Sequence, residues 1–158
     1  MRVASWRLAI GLTMVLTLTP ALAAQSFAAD PPAATHPAAP TDAERTAIRQ
    51  VIEKQIAAFR ADDAPGAMEE AAPSIRSMFG NDPATFLSMV KQGYQPVYRP
   101  RSVTFGALED HNGTPVQHVD VIGPDGTPHT ALYSMERQPD GVWRISGCAI
   151  LDAAAVGA

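Results

Sequence analysis

The chain has 158 residues, a formal net charge of −4 and a single cysteine, Cys148. This length allows one domain, and the acidic excess disfavours nucleic acid or an anionic membrane as a partner. One cysteine cannot form an internal disulfide, so a hydrophobic core must hold the fold together.

The first 23 residues have the pattern of a secretory signal peptide. Arg2 and Arg7 supply positive charge, an apolar run extends from Leu8 to Leu18, and an Ala-Leu-Ala cleavage pattern ends at Ala23. We predict cleavage after Ala23, and Ala28-Ala29 offers a second small-residue position. The alternative is an uncleaved anchor, but the run is short against the about 20 residues of a membrane span. We therefore predict an exported protein, periplasmic or secreted, with no stable membrane span after cleavage.

A tether and a short tail are predicted to flank the folded body. Cleavage removes two arginines and no acids, which leaves 10 basic and 16 acidic residues and a charge of −6. Residues 24–40 are rich in proline and alanine and predict an extended tether that includes His36. We predict a single α+β domain over residues 41–152 and a flexible tail over residues 153–158.

The first part of the domain has the patterns of helices. Thr41 and Glu44 fit a capping box, and a stripe of bulky residues follows at three- and four-residue spacing, namely Ile48, Val51, Ile52, Gln55, Ile56 and Phe59. Asp62 and Asp63 end that helix or cap the next one, and further short helices are predicted from Pro73 and Pro83. The proline-interrupted segment 94–100 predicts neither helix nor central strand.

From Arg101 onward the apolar pattern has a period of two. It predicts four strands, Ser102 to Glu109, Pro115 to Ile122, Thr127 to Arg137 and Val142 to Leu151. Each of the three turns ends in glycine, which predicts three-residue loops that close with a left-handed residue. The fold class is therefore α+β, with N-terminal helices packed on a curved, cone-like antiparallel sheet of four or more strands.

Three-residue loops fix the register of all four strands. They place Ala107 opposite Gln117, Val121 opposite His129, and Glu136 opposite Arg144. The face toward the helices then carries Val103, Phe105, Ala107, Gln117, Val119, Val121, His129, Ala131, Tyr133, Met135, Trp143, Ile145, Gly147, Ala149 and Leu151. A slip of one residue in any turn would reverse part of this assignment.

The predicted outer face carries an apolar patch of Val116, Leu132, Cys148 and Ile150. A homodimer could bury this patch; the alternatives are that it stays weakly exposed or that the C-terminal tail covers it. Cys148 is interpreted there as a small apolar filler, with a disulfide across the dimer as the alternative.

Several blocks of sequence closely resemble one family. They are IEKQIAAFRADDA from Ile52, PSIRSMFG from Pro73, the series Phe86, Met89-Val90 and Tyr94, PVYRPRSVTFG from Pro96, and LYSMERQPDGVWRISGC ending at Cys148. In this order they resemble the exported bacterial proteins grouped as domain of unknown function 4864. The resemblance covers nearly all of the folded body, and it implies an exported α+β domain without supplying any catalytic residue.

A looser resemblance concerns the last hairpin. The segment Asp140-Gly141-Val142-Trp143-Arg144-Ile145 looks like the closing strand of the cone-shaped nuclear transport factor 2-like superfamily. That superfamily includes isomerases, dehydratases, cyclases and non-enzymatic binding modules, so the resemblance does not choose among these functions.

A cone-shaped fold predicts a pocket between the sheet and the helices. Its candidate ligand-binding residues are Gln117, His129 and Tyr133 on the sheet, with Tyr94 and Tyr98 above the open end. We predict a non-catalytic module that binds a small apolar or amphipathic ligand or a protein partner. The alternative is an isomerase- or cyclase-like enzyme in which His129 and Tyr133 move a proton.

Catalytic and cofactor motifs are not found in the sequence. It contains no glycine-rich phosphate loop, no G-x-S-x-G elbow and no C-x-x-C pair. His118 and Asp120 share one strand face, but His111 is assigned to a turn, so no metal site is predicted. We predict no cofactor and no catalytic residue.

Overall fold

A computed structural model describes residues 40–152 of the chain, without the side chain of Asp152. The predicted signal peptide, the tether up to residue 39 and the tail from residue 153 lie outside the described residues. Within the described range, no helix is long and apolar enough to cross a membrane.

Helix α1 spans Asp42–Arg60 and begins as its sequence predicts. The Thr41 hydroxyl accepts a hydrogen bond from the Glu44 amide at 3.2 Å, and the Glu44 carboxylate accepts one from the Thr41 amide at 3.0 Å. This capping box satisfies amides that the first helical turn leaves without partners. The buried face of α1 is the predicted stripe, Ile48, Val51, Ile52, Gln55, Ile56 and Phe59.

Four short helices follow α1: α2 (Ala64–Glu69), α3 (Pro73–Met78), α4 (Pro83–Gly93) and α5 (Gln95–Tyr98). Asp63 caps α2 by accepting from Gly66, and Asp82 caps α4 by accepting from Ala84, each at 3.0 Å. The prediction that segment 94–100 contains no helix is wrong, because α5 forms one turn there. Its proline occupies the first turn, where a missing N–H breaks no helical hydrogen bond.

The strands form one antiparallel sheet in chain order. They are β1 (Ser102–His111), β2 (Thr114–Ile122), β3 (Pro128–Arg137) and β4 (Trp143–Asp152). Helices followed by a four-stranded antiparallel sheet confirm the predicted α+β class. One core cluster joins α1 to the sheet, and a second joins α1 to α2 and α4.

Two of the three turns have the predicted register. The amide of Gly123 donates to the Thr127 carbonyl at 2.8 Å, and the amide of Gln138 donates to the Val142 carbonyl at 2.8 Å. Gly126 and Gly141 close these loops with φ values of 88° and 85°, a conformation that favours glycine. Val121 therefore lies opposite His129, and Glu136 opposite Arg144.

The first turn corrects the predicted register. Asn112 and Gly113 both have positive φ, 56° and 87°, and they form a two-residue loop between His111 and Thr114. Leu108 instead of Ala107 lies opposite Gln117, and a bulge between Phe105 and Leu108 restores the predicted pairing further from the turn. Leu108 therefore joins the buried core.

Strand β4 contains a second correction. Ser134 pairs with Gly147 and Met135 pairs with Ile145, so Ser146 is an extra residue without a partner. The neighbouring glycine has no side chain to hold a regular strand, which favours a bulge at this position. Beyond each bulge, the side chains of the strand point to the opposite face from the one they would occupy without it.

The bulge in β4 changes which side chains face the helices. Cys148 and Ile150 pack against the core, and Gly147, Ala149 and Leu151 occupy the outer-face positions, opposite to the prediction. The outer apolar patch therefore does not include Cys148 or Ile150.

Candidate functional site

A cavity of about 360 Å³ lies between the inner face of β3 and β4 and helices α1, α3 and α4. Its walls are mainly apolar and aromatic. The lining residues are Gln55, Phe59, Ala71, Ile75, Met78, Phe79, Phe86, Met89, Val90, Tyr94, Val97, Tyr133, Ile145, Gly147 and Cys148.

Three aromatic rings form one wall of the cavity. Phe86 lies between Phe59 and Phe79, with ring centroids 6.1 Å and 5.4 Å away, and its contact with Phe79 is edge-to-face. Such contacts fix ring orientation in addition to burying apolar area. Phe59 and Phe86 are also members of the core cluster that joins α1 to α4, so this wall is part of the fold itself.

Helix α3 covers the cavity with side chains that stay partly in solvent. It contains no buried residue, and Met78 is 75% exposed. The backbone before α3 is fixed to the edge of the sheet, because Ile145 donates to Glu70 at 2.9 Å and accepts from Ala72 at 2.8 Å. Helix α3 is therefore anchored at its first residues, and its apolar side chains Ile75 and Met78 form the edge of the cavity.

Two polar groups of the sheet face the cavity side by side. Tyr133 and Cys148 are cross-strand partners, and Tyr133 has no exposed surface. Apart from the Cys148 thiol, which is a weak hydrogen-bonding group, the Tyr133 hydroxyl has no hydrogen-bond partner among the described residues. Burial raises its pKa well above the ordinary value, and the adjacent Cys148 thiol raises it further.

Cys148 is also held in its neutral form. Burial raises the pKa of its thiol to about 12, although the Tyr133 hydroxyl acts in the opposite direction. A neutral thiol is a weak hydrogen-bonding group, so it leaves the capacity of the Tyr133 hydroxyl largely unused.

Gln55 contributes a buried polar side chain to the lining on the helix side. It is 4% exposed, and its amide nitrogen donates to the carbonyl of Ala67 at 3.1 Å. This bond ties α2 to α1 and fixes the amide at the cavity wall.

The structure brings together two of the five predicted pocket residues. Tyr94 and Tyr133 line the cavity, whereas Gln117, His129 and Tyr98 are outside its lining. His129 is half-buried near the turn that joins β2 to β3, where it pairs with Val121.

Gln117 and Tyr98 have structural contacts elsewhere. The side-chain amide of Gln117 lies at the β1 bulge, and its Nε2 atom donates to the carbonyls of Gly106 at 3.0 Å and Ala107 at 3.1 Å. The Tyr98 hydroxyl donates to the Asp62 carboxylate, and its ring lies near Lys91.

The sequence reasoning missed most of the cavity wall. Phe59, Phe86 and Met89 were assigned to helix faces without a pocket, and Cys148 was assigned to the opposite face of the sheet. Gly147 was the available signal, because a glycine inside a strand pattern often marks a bulge.

The lining is suited to binding apolar matter. Among the described residues that line the cavity, none is an acid, a base or a histidine. Its polar groups are the buried Gln55 amide, the phenols of Tyr94 and Tyr133 and the Cys148 thiol, and burial keeps the Tyr133 phenol and the thiol neutral. Such a surface can solvate an apolar body and hydrogen-bond one polar group of it.

Comparison with known proteins identifies the family and nothing more specific. No curated protein matches the sequence. The model of one family, the domain of unknown function DUF4864, matches residues 41–158, which is well over half of the chain. The chain therefore belongs to the DUF4864 family.

Proposed function

We propose that this protein binds a small apolar or amphipathic ligand without transforming it. The observation that carries the proposal is the cavity of about 360 Å³, whose described lining is uncharged. Ligand pockets typically have volumes of roughly 300–1,000 Å³ and are lined by apolar and aromatic side chains with few polar groups.

The Tyr133 hydroxyl supports an amphipathic ligand. A buried hydroxyl left without a partner costs roughly 1–3 kcal/mol, and the weak Cys148 thiol offsets little of that cost, whereas a bound polar group would remove it. A ligand with an aliphatic or aromatic body and one hydrogen-bond acceptor would pack against the apolar lining and accept a hydrogen bond from the Tyr133 hydroxyl.

The alternative of an isomerase- or cyclase-like enzyme has no specific observation in its favour. Such chemistry needs a proton acceptor and donor beside one substrate. Tyr133 lines the cavity and His129 does not, so no described residue of the lining supplies the base. The looser likeness to the nuclear transport factor 2-like superfamily stays a prediction.

A fluorescent apolar probe tests ligand binding in the cavity. N-phenyl-1-naphthylamine should bind the purified protein and become fluorescent. Ile75→Trp adds bulk to the cavity wall on α3 and should weaken binding at least about tenfold, because the added ring occupies ligand volume.

Val142→Trp is the matched control. Val142 is 40% exposed, and it is not a lining residue, so the same large ring placed there should leave probe affinity unchanged. Equal affinities for the wild type and Ile75→Trp would contradict binding in the cavity.

The proposal includes export to the periplasm or the exterior. Its support is the charged start, the apolar run and the small-residue cleavage pattern of the first 23 residues. The intact mass of protein recovered from the producing cell's periplasm should correspond to a chain that begins at Ala24. Recovery of the full-length chain from the cytoplasm alone would contradict export.

A homodimer through the outer sheet face remains a proposal in modified form. Of the predicted patch, Val116 and Leu132 stay on the outer face, and Ala149 lies opposite Leu132. Cys148 lines the cavity, which leaves an intermolecular disulfide without structural support. Sedimentation equilibrium should show a dimer that Leu132→Glu dissociates, and a monomeric wild type would remove this proposal.

A further inference from the structure

Three potential metal ligands meet on the outer face of the first hairpin. Glu109 and His111 lie near the end of β1, and His118 lies on the adjacent strand β2. The Glu109 carboxylate is 3.2 Å from His111 Nε2 and 3.4 Å from His118 Nε2. One ligand atom from each residue lies within 4.8 Å of the other two.

The corrected register is what brings these residues to one face. Glu109 lies opposite Val116, which shares its face with His118, and His111 lies two residues beyond Glu109. In the predicted register, Glu109 and His111 would point to the helix side of the sheet. The two-residue turn and the β1 bulge reverse both positions.

Neighbouring groups hold the bulge and the His118 backbone in place. The side-chain NH₂ group of Gln117 shares its two N–H donors among the carbonyls of Gly106, Ala107 and His118, the last at 2.9 Å. A β-carbon on Gly106 would lie 3.4 Å from the β-carbon of His118, in ordinary van der Waals contact, so these two residues pack side by side. The ligand positions are therefore carried by fixed strands.

We propose that Glu109, His111 and His118 bind a divalent transition-metal ion, with Zn²⁺ as the representative species. Zinc bonds to histidine nitrogen and carboxylate oxygen are about 2.0–2.2 Å long, which places ligands of a tetrahedral ion about 3.3 Å apart. The two carboxylate–imidazole distances already match this spacing. Two imidazoles favour zinc and its neighbours over calcium or magnesium, which prefer oxygen ligands.

The cluster lies at the surface, where solvent reaches the Glu109 and His111 side chains, whereas the Nε2 atom of His118 is itself buried. The side chains of Glu109, His111 and His118 are 51%, 54% and 30% exposed. A shallow concavity on the same face is lined by His111, Thr114, Val116, Leu132 and Ser134, among others. Positions on the metal that the protein leaves open would thus face water or a ligand in that concavity.

This site is independent of the proposed apolar cavity, because it lies on the opposite face of the sheet. Its test is isothermal titration of the untagged, chelator-treated protein with Zn²⁺, combined with metal content after dialysis. One Zn²⁺ should bind per chain. Single variants His111→Ala, His118→Ala and Glu109→Gln should each weaken binding at least about tenfold, since each removes one of three ligands.

The remaining histidines provide matched controls. The chain has four: His129 lies outside the cluster, and His36 belongs to the tether that the sequence predicts, outside the described residues. His36→Ala and His129→Ala should keep the wild-type affinity for Zn²⁺. Circular dichroism should show that the cluster variants remain folded, which is expected because their side chains are partly exposed.

Two results would overturn the proposal. The first is absence of one tightly bound Zn²⁺ per wild-type chain. The second is Zn²⁺ binding that cluster variants and control variants weaken equally. In either case the carboxylate serves only as a hydrogen-bond partner of the two imidazoles.

Discussion

The thiol of Cys148 lies in the cavity wall next to the Tyr133 hydroxyl, and its burial raises its pKa from 9.0 to about 12. Because the thiolate is the reactive species, a shift of this size reduces its concentration near pH 8 about a thousandfold. The same residue on the outer face would carry a normal, accessible thiol. Its reactivity therefore reports the register of β4.

We predict that native protein reacts with Ellman's reagent at least about a hundredfold more slowly than urea-unfolded protein at the same pH. The measurement is the rate of thiol release at pH 8. The double variant Cys148→Ala/Ala149→Cys moves the thiol by one residue to an exposed outer position and should react rapidly. A rapidly reacting wild type together with a slowly reacting double variant would contradict the bulge at Ser146, because the two positions would then have exchanged faces.

At the scale of elements, Asp62 joins the end of α1 to α4 and to the segment after α5. Lys91 lies 2.8 Å from its carboxylate, Arg99 lies 2.5 Å from it, and Tyr98 donates a hydrogen bond to it. The hydrogen bond from Lys91, followed by that from Tyr98, lowers the pKa of Asp62 from 3.8 to about 2.

This shift predicts a pH-dependent contribution to stability. Because the pKa of Asp62 is lower in the folded state, its ionised form stabilises the fold above about pH 4, and the effect is lost as the pH falls through about 2. Asp62→Asn should therefore be less stable than the wild type near neutral pH, and the difference should shrink below about pH 4. Urea unfolding across this range measures it.

Asparagine is a suitable replacement because Asp62 has a φ of 57°, a conformation that asparagine tolerates. Backbone strain is therefore not the source of the expected loss. A stability difference that does not change with pH would contradict the electrostatic role of Asp62.

Gln117 stabilises the β1 bulge that carries Leu108 into the core. It has no exposed surface, and its side-chain NH₂ group shares two N–H donors among three backbone carbonyls. Gln117→Leu should lower the free energy of unfolding by about 1–3 kcal/mol, because those carbonyls lose their side-chain donor. Denaturant unfolding provides the measurement.

Gln55→Leu is the comparison for Gln117→Leu. Gln55 is also buried, but its amide donates to one carbonyl, that of Ala67. The Gln55 variant should lose less stability than the Gln117 variant. The reverse order would show that Gln117 does not hold the bulge.

Local patterns predicted most helices and the two Pro-Asp-Gly turns. The α1 stripe follows from helical spacing, and the two turns follow from glycine after Asp125 and Asp140. The Asn112-Gly113 turn was mispredicted because the same residues fit either a two-residue or a three-residue loop. Sequence spacing does not specify which loop forms, and one residue of difference reverses a strand face.

At the scale of the whole molecule, the cavity could not be read from one element. Its walls come from α1, α3, α4, α5 and the β3–β4 pair. Cys148 faces the cavity beside Tyr133 only because of the bulge at Ser146. Tyr133 and Tyr94 were predicted from their patterns, whereas the aromatic wall required the packing of Phe86 between α1 and α3. Tertiary packing therefore decides which apolar residues line a pocket and which fill the core.

Native mass spectrometry of the protein recovered from the cells that produce it tests the central proposal most directly. The wild type and Val142→Trp should carry a small organic molecule as added mass, and Ile75→Trp should have lost most of it, because the tryptophan fills the cavity. Wild-type protein without added mass that also fails to bind N-phenyl-1-naphthylamine would contradict a ligand-binding function.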